Sequence, residues 1–525
     1  MPCDPRRAAG FAGVSIGLVL LLLLPAPLRA QKAVSEPRAG LEYKPPRTWL
    51  ELPAGGDRGA TLRLYCAPRA LAGKEVTHTP LLRVMFFATG GDAGQDVVEG
   101  LPRQTPFRSL DDFVARGLGG KDVDHEPARV GGVAGQRVTA RNLSGERVLI
   151  GLTMPLAGGE AAVCFEVVAM QADKIGKDVD ATFASLATVP RVPGPDREPP
   201  WRVAAWAEQD AAARAAARQR WAEDLVAATR AAPEAGFKLQ KSKYWTVLAA
   251  SDPAFTKKAI AAAETARAWF VQQMPELTKA APLPAILRIF DSPDHYRAFQ
   301  TTVVDAREYH AHRRELMFVN DRDLGGSTGY GMLFRAVLWQ LFDDVDPGVL
   351  PALPRWLDNG CWEFLRSSRC DGRKIEFAPS DVERGRIDYQ LRGKSMPALW
   401  DLMQEHIQRS PENGADEADW GYTPECARLL RWFWIDGGQQ AFGRPALVSD
   451  YVRGLATAYG KIGPDPTRDV ATIGLTDAQR KDRNVRFYAW RDAMLVAIND
   501  AATPLQPDAW RAINETWLAY NENYR

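Results

Sequence analysis

At 525 residues the chain exceeds what one ordinary core organises, and at roughly 100 to 200 residues per domain it divides into two or three units. An apolar fraction of 46% and a charged fraction of 25% are globular values, which excludes wholesale disorder and a polytopic membrane protein. Lys and Arg number 66 against 65 Asp and Glu, so no single-sign field exists to hold nucleic acid or anionic lipid by counterion release, and nucleic acid is not an expected partner.

Residues 1–30 read as a signal peptide. Arg6 and Arg7 form a positive n-region, Gly10 to Leu24 is an uncharged apolar run, and Pro25 to Ala30 supplies a break and a small residue before Gln31. The Arg pair fits either a general or a twin-arginine signal. Leu28 departs from the small-x-small rule, which leaves an uncleaved anchor as the alternative, although the run is short of the ~20 residues that span a bilayer. The expected location is therefore periplasmic or extracellular, with no membrane span after cleavage. Losing Cys3 with the signal leaves Cys66, Cys164, Cys361, Cys370 and Cys426, an odd set in a compartment where disulfides persist. Cys66 with Cys164 and Cys361 with Cys370 are the pairings to test, and buried thiols acting as small hydrophobes are the equal alternative.

Between residues 41 and 190, short apolar runs alternate with turn signals: Leu62 to Tyr65, Leu81 to Phe87, Gln136 to Thr139, Val148 to Met154 and Ala161 to Met170. Their length and β-branched content predict strands, with helices over Leu110 to Gly117 and Ala172 to Leu186. An antiparallel sheet packed by helices follows. Through "LEYKPPRTWLELP", "SLDDFVARGL", "GVAGQRVTA" and "AAVCFEVVAMQADKIGKDVDATFASL" this segment resembles the PsbP/Mog1-like α/β sandwich family. The resemblance implies a binding or accessory module and supplies no catalytic residue.

Residues 191–240 read as a linker and an Ala-rich helix. Arg191 to Pro200 is rich in Pro, Gly and charge, and Ala204 to Ala232 has high helix propensity until Pro233 and Gly236 stop it, so this helix is expected to space the two domains. From 241 to 525 the order is a strand (Tyr244 to Ala250), a long helix (Ala254 to Met274), strands over Ala285 to Asp291 and Leu316 to Val319, and then mostly helices. A small sheet followed by a helical lobe makes the whole chain α+β.

Gluzincin metallopeptidases share this layout. Their chemistry needs two His at i and i+4 on one helix to hold zinc, a Glu beside the first as general base, and a Glu ligand from a second helix about twenty residues later. The C-terminal half resembles the bacterial envelope members of that superfamily, whose helices read HExxHQ and WLxEGxAxY; here the two helices read "LFRAVLWQLF" and "RWLDNGCWEF", and "GYTPECARLLRWFW" resembles the downstream helix. Aligned on Gln340, Trp356, Leu357 and Gly360, the resemblance places Arg335 and Trp339 at the His positions, Ala336 at the general base and Asn359 at the third ligand. A guanidinium has no lone pair to give, an indole N–H only donates, and Ala has no acid or base function, so these positions are expected to be a degenerate zinc site. Arg335 is expected to fill the metal's volume and to pair with Asp358 or Glu363. The alternative is that "RAVLW" is ordinary core of a helix that never bound zinc.

Other constellations compete. His310 and His312, with Glu315 close by, could form a relocated metal site, although exposed His beside Arg313 and Arg314 is the commoner outcome. Cys361 with His406 lacks a third orienting group, and His78, His125 and His295 are isolated. Trp339, Trp356, Trp362, Trp400, Trp420, Trp432 and Trp434 crowd this half; Trp356 and Trp362 are candidates to line a cleft, helix packing explains most of the rest, and Trp432 and Trp434 cannot both face one way. The sequence thus leads to an exported, cofactor-free pseudo-metallopeptidase that binds an envelope protein, peptide or polymer. A hydrolase using the His310/His312 site and a structural envelope component are the alternatives.

Overall fold

The computed structural model describes residues 32–54, 60–68, 78–89, 97–98, 101–102, 106–143, 146–192, 209–278, 282–302, 308–319, 328–366, 368–370, 373–399, 401–403, 423–441, 446–467, 470, 475–502 and 507–523. The signal segment, most of the expected linker, His406, Trp400 and Trp420 lie outside them.

In the first half the strands are β1 (Val34–Glu36), β2 (Leu41–Tyr43), β3 (Leu50–Leu52), β4 (Thr61–Cys66), β5 (Leu81–Ala88), the short pair β6 (Val97–Val98) and β7 (Leu101–Pro102), β8 (Asp122–Val130), β9 (Val133–Leu143), β10 (Arg147–Leu156), β11 (Gly159–Val168) and β12 (Ala187–Thr188). Two helices accompany them, α1 (Leu110–Leu118) and α2 (Ala172–Ala184). Seven strands form one antiparallel sheet in the order β3-β4-β5-β11-β10-β9-β8, and β1, β2 and β12 form a small second sheet. Period-2 alternation sends the residues of β11 to opposite faces. Ala161, Val163, Phe165 and Val167 join a core closed by Ile175 and Val179 of α2, while Ala162 and Cys164 join one closed by Leu110, Phe113 and Val114 of α1. Ser109 caps α1 by accepting from the Asp112 N–H, and Gly119 ends it in the left-handed region at φ 70°. Hairpin β8–β9 turns through Gly131 and Gly132, both at positive φ as a two-residue connection demands.

The second half contains α3 (Ala211–Ala231), β13 (Lys238–Lys241), β14 (Trp245–Ala249), α4 (Pro253–Gln273), β15 (Ala285–Phe290), α5 (Pro293–Thr302), β16 (Tyr309–His310), β17 (Glu315–Val319), α6 (Thr328–Val345), α7 (Arg355–Arg366), β18 (Ser368–Cys370), β19 (Ile375–Phe377), α8 (Asp381–Gly393), α9 (Thr423–Trp434), α10 (Gly438–Ala441), α11 (Leu447–Ile462), α12 (Asp477–Ala502) and α13 (Pro507–Glu522). Its sheet runs β13-β14-β15-β17-β16. The central β14, β15 and β17 are parallel, and the edges β13 and β16 antiparallel. Such a sheet must be covered on both faces. Leu287, Ile289, Leu316 and Phe318 face α4, α6 and the helical lobe in the largest core. The fold is α+β.

The opposite face of this sheet is covered by the first half. Leu248, Ile286, Phe290, Met317 and Val319 share one core with Leu50, Leu52, Leu64, Cys66 and Leu81 of β3, β4 and β5. The backbone follows: Glu51 N–H donates to the Ala235 carbonyl at 3.2 Å, and Glu51 Oε2 accepts from Ala235 N–H at 2.9 Å. The Ala-rich helix expected as a spacer is instead packed on the second sheet. Val226 enters the shared core, and Arg218 donates to the Val345 carbonyl at 3.3 Å at the end of α6. Arg191, expected in a linker, lies on the first unit, its guanidinium 3.8 Å from the Phe86 ring centre.

All five described cysteines are thiols. Cys66 faces the core shared by the two halves and Cys164 faces the α1 core, with β5 between their strands, so that pairing is not made. Cys361 is buried in the helical core while Cys370 lies on β18, and they are not joined either. Burial pushes the Cys66 and Cys361 thiols well up, which suits packing and opposes nucleophilic use. Among the described residues no helix is long and apolar enough to cross a membrane.

Candidate functional site

Helix α6 lies on the second sheet with Leu333, Phe334, Val337 and Leu338 in the core, and α7 packs beside it. Two glycines set the approach. A Cβ at Gly331 would overlap the Leu365 carbonyl of α7, and one at Gly360 would sit 3.0 Å from the Cys426 carbonyl of α9. Only glycine lets three backbones close at these points.

This close approach brings Arg335 of α6 to α7. Its Nη2 donates to Asp358 Oδ1 at 3.0 Å, and its Nη1 lies 3.6 Å from Glu308 Oε1, just before β16. Its guanidinium carbon is 4.9 Å from the ring centre of Trp339 and 4.9 Å from that of Trp362. Helical spacing explains both pairs: Trp339 is one turn beyond Arg335 on α6, and Trp362 one turn beyond Asp358 on α7. The Arg335 side chain is 12% exposed. One cation therefore stands against two indole faces and two carboxylates, a charge-assisted and cation–π arrangement that a guanidinium suits better than an ammonium.

The other positions singled out by the zinc pattern are also placed. Ala336 is wholly buried in the core. Trp339 is buried and stacks on Phe342 at 5.7 Å. Gln340 Oε1 accepts from Trp245 Nε1 at 2.7 Å, which fixes α6 to β14. Asn359 is half-buried one residue past Asp358, with no described bond to the Arg335 pair. Glu363 does not reach Arg335. It accepts from Ser380, the N-cap of α8, and pairs with Arg366 at 3.4 Å, because it turns toward α8.

The relocated metal site is not assembled. His310 and Glu315 are cross-strand neighbours, and the His310 and His312 rings are 5.9 Å apart. Glu315, however, is fully buried and taken by two arginines, Arg288 and, at 3.0 Å, Arg313. Burial alone would raise its carboxyl pKa; Arg288 and Arg313 outweigh that and hold it below the usual carboxylate range. Arg288 also pairs with Glu234 at 3.1 Å and lies 4.5 Å from the Phe237 ring centre. Among the described residues no three His, Cys, Asp or Glu side chains are grouped to hold a metal ion. His78 lies 3.5 Å from Glu166, His125 lies 3.0 Å from Gln136, and His295 bonds Asp291, each a local contact.

Trp356 does not line a cleft. It is fully buried, edge-on to Tyr451 at 5.3 Å. Trp432 and Trp434 do face different ways, but both are core: Trp432 packs on Trp517 at 5.5 Å and Trp434 on Trp269 at 5.9 Å. Trp362 is half-buried, and its ring serves Arg335.

Sequence reading missed two features. Glu308 joins Arg335 from 27 residues upstream, which no local pattern announces. The other is a polar knot at the end of α6: Asp343 accepts from Tyr309 at 2.7 Å and from Arg314 at 2.6 Å, Arg314 also bonds Asp344, and Arg267 stands 3.9 Å from Asp344. Its signal was legible in principle, since acids at a helix C-terminus oppose the macrodipole and need cations brought to them.

No family model matches the chain, and no curated protein does. Several solved structures resemble part of it, and two of them are the following. The solution structure of cyanobacterial PsbP (CyanoP) from Synechocystis sp. PCC 6803 is 14% identical with a TM-score of 0.21, covering 30% of this chain and 91% of that one. The crystal structure of LpqN, involved in cell envelope biogenesis of Mycobacterium tuberculosis, is 13% identical with a TM-score of 0.21, covering 30% and 90%. At these scores neither likeness bears on what the chain does.

Proposed function

We propose that this is an exported, non-catalytic protein whose second half keeps a zinc-metallopeptidase frame without its chemistry, and that it binds or scaffolds an envelope protein, peptide or polymer. The signal-like residues 1–30 support export. One observation carries the rest: at the position the gluzincin resemblance gives to the first zinc ligand stands Arg335, already engaged by Asp358, Trp339 and Trp362. A fixed cation there repels a divalent ion and offers it no electron pair. No group at these positions can activate a water, because Ala336 stands where the base would be.

The test is metal content of the purified chain together with a peptide-cleavage assay. The expected result is substoichiometric zinc and no chelator-sensitive turnover. Stoichiometric zinc with turnover lost on chelation would overturn the reading. Ancestry of the frame is tested separately by the combined variant Arg335→His, Ala336→Glu, Trp339→His and Asn359→Glu, which is expected to take up zinc; a folded variant that takes up none sinks the ancestry while leaving the absence of catalysis standing.

A further inference from the structure

We infer that Arg335 is a tethered cation that locks α6, α7 and the approach to β16 together, and that the cage it fills is selective for a planar guanidinium. Three separate chain segments meet at this one group: Arg335 and Trp339 from α6, Asp358 and Trp362 from α7, and Glu308 from the start of the antiparallel edge. Removing the guanidinium would take from Asp358 and Glu308, 26% and 11% exposed, the cation that both of them address. Both carboxylates and both ring faces attract positive charge, so the emptied cage is a cation site. Geometry selects among cations. The flat carbon-centred group reaches both ring centres while Nη1 and Nη2, held apart in one plane, address different acids; a compact ammonium can donate to two acids but is too small to span both rings and both acids at once. Nε is buried with no hydrogen-bond partner among the described residues, so the rings and the two acids, rather than full hydrogen bonding, set the position.

The lock at Arg335 stands on these contacts alone. It survives if the zinc-frame ancestry fails, and the ancestry survives if it fails.

The experiment compares the mature chain with its Arg335→Ala and Arg335→Lys variants by amide hydrogen exchange over residues 355–366, without additive and with millimolar methylguanidinium or methylammonium. In Arg335→Ala, exchange in α7 is expected to quicken about tenfold, as the loss of a partly buried cation–π and ion-pair contact implies. Methylguanidinium is expected to restore protection and methylammonium to leave it unrestored. Arg335→Lys is expected to quicken exchange about threefold. Unchanged exchange in Arg335→Ala overturns the lock, and equal rescue by both additives overturns the selectivity. Should Arg335→Ala not fold, Arg335→Lys decides the lock: exchange equal to that of the natural chain overturns it.

Discussion

Glu315 and Asp346 are both largely withdrawn from water, and their surroundings move them in opposite directions. Burial works against the charged Glu315, but Arg288 and Arg313 prevail and its folded pKa is lowered. Its contribution to stability is therefore present above the unfolded carboxylate value of about 4.3 and is lost as pH falls through the lower folded value. Asp346 has one backbone N–H, that of Gly348 at 2.9 Å, and burial pushes it up to about 6. A carboxyl raised in the folded state disfavours folding above that value, and the penalty disappears as pH falls from about 6 toward the unfolded value of about 3.9. Stability is thus expected to rise modestly from pH 7 to 5 and to fall below pH 4. Chemical denaturation across that range checks it: Asp346→Asn should remove the rise, and Glu315→Gln should flatten the acid fall while costing about 3 kcal/mol at neutral pH, because it takes one of two carboxylates from the fully buried Arg288 and leaves it Glu234 alone. An unchanged acid limb in Glu315→Gln would show that the pair does not set it.

At the scale of elements, β8 shows how an exposed edge is kept from pairing. It is the outer strand of the seven-stranded sheet, and most of its nine residues are exposed. Because Val130 pairs Val133 across the two-residue turn, the residues that bond inward to β9 are Val130, Ala128, Glu126, Asp124 and Asp122, and Pro127 faces outward. Proline there costs the ladder nothing and deletes a donor from the free edge, with Asp124 and Glu126 adding charge. Pro127→Val is expected to change stability by less than about 1 kcal/mol yet to promote self-association, visible as a concentration-dependent rise in mass by light scattering. This strand was also illegible in the sequence, for the same reason: with both faces wet, "DVDHEPARV" has neither an apolar run nor alternation. Strands with a buried face, such as Leu81–Ala88 and Ala285–Phe290, were readable nearly to their ends, since burial writes the pattern. Around Arg335 the sequence offers Asp358 or Glu363 of the neighbouring helix without choosing between them, and it offers neither the two indole rings nor Glu308. Residue spacing states which groups share a helix face and is silent on which faces meet.

For the whole molecule, the decisive feature is that the outer face of β3, β4 and β5 is not an outer face at all. Leu64 is 1% exposed and Leu248, from the other half, 0%, in one continuous core. Interfaces between domains that move are more polar than this, whereas an apolar seam with hydrogen bonds between Glu51 and Ala235 makes separation costly. Arg313 extends the seam by donating to the Ala54 carbonyl at 2.6 Å, on the same side chain that holds Glu315. The two halves are therefore expected to melt as one cooperative unit, giving a single calorimetric transition whose van't Hoff and calorimetric enthalpies agree. Leu64→Ala should lower that one transition, at a cost of about 2–5 kcal/mol, even though it alters only the first half. Independent halves would instead give two transitions, of which Leu64→Ala moves one, and a chain beginning at residue 209 would melt as the upper or lower of the pair. If the seam governs, that shortened chain exposes Ile286, Phe290 and Met317 to water and aggregates, because the face that carries them has lost its cover.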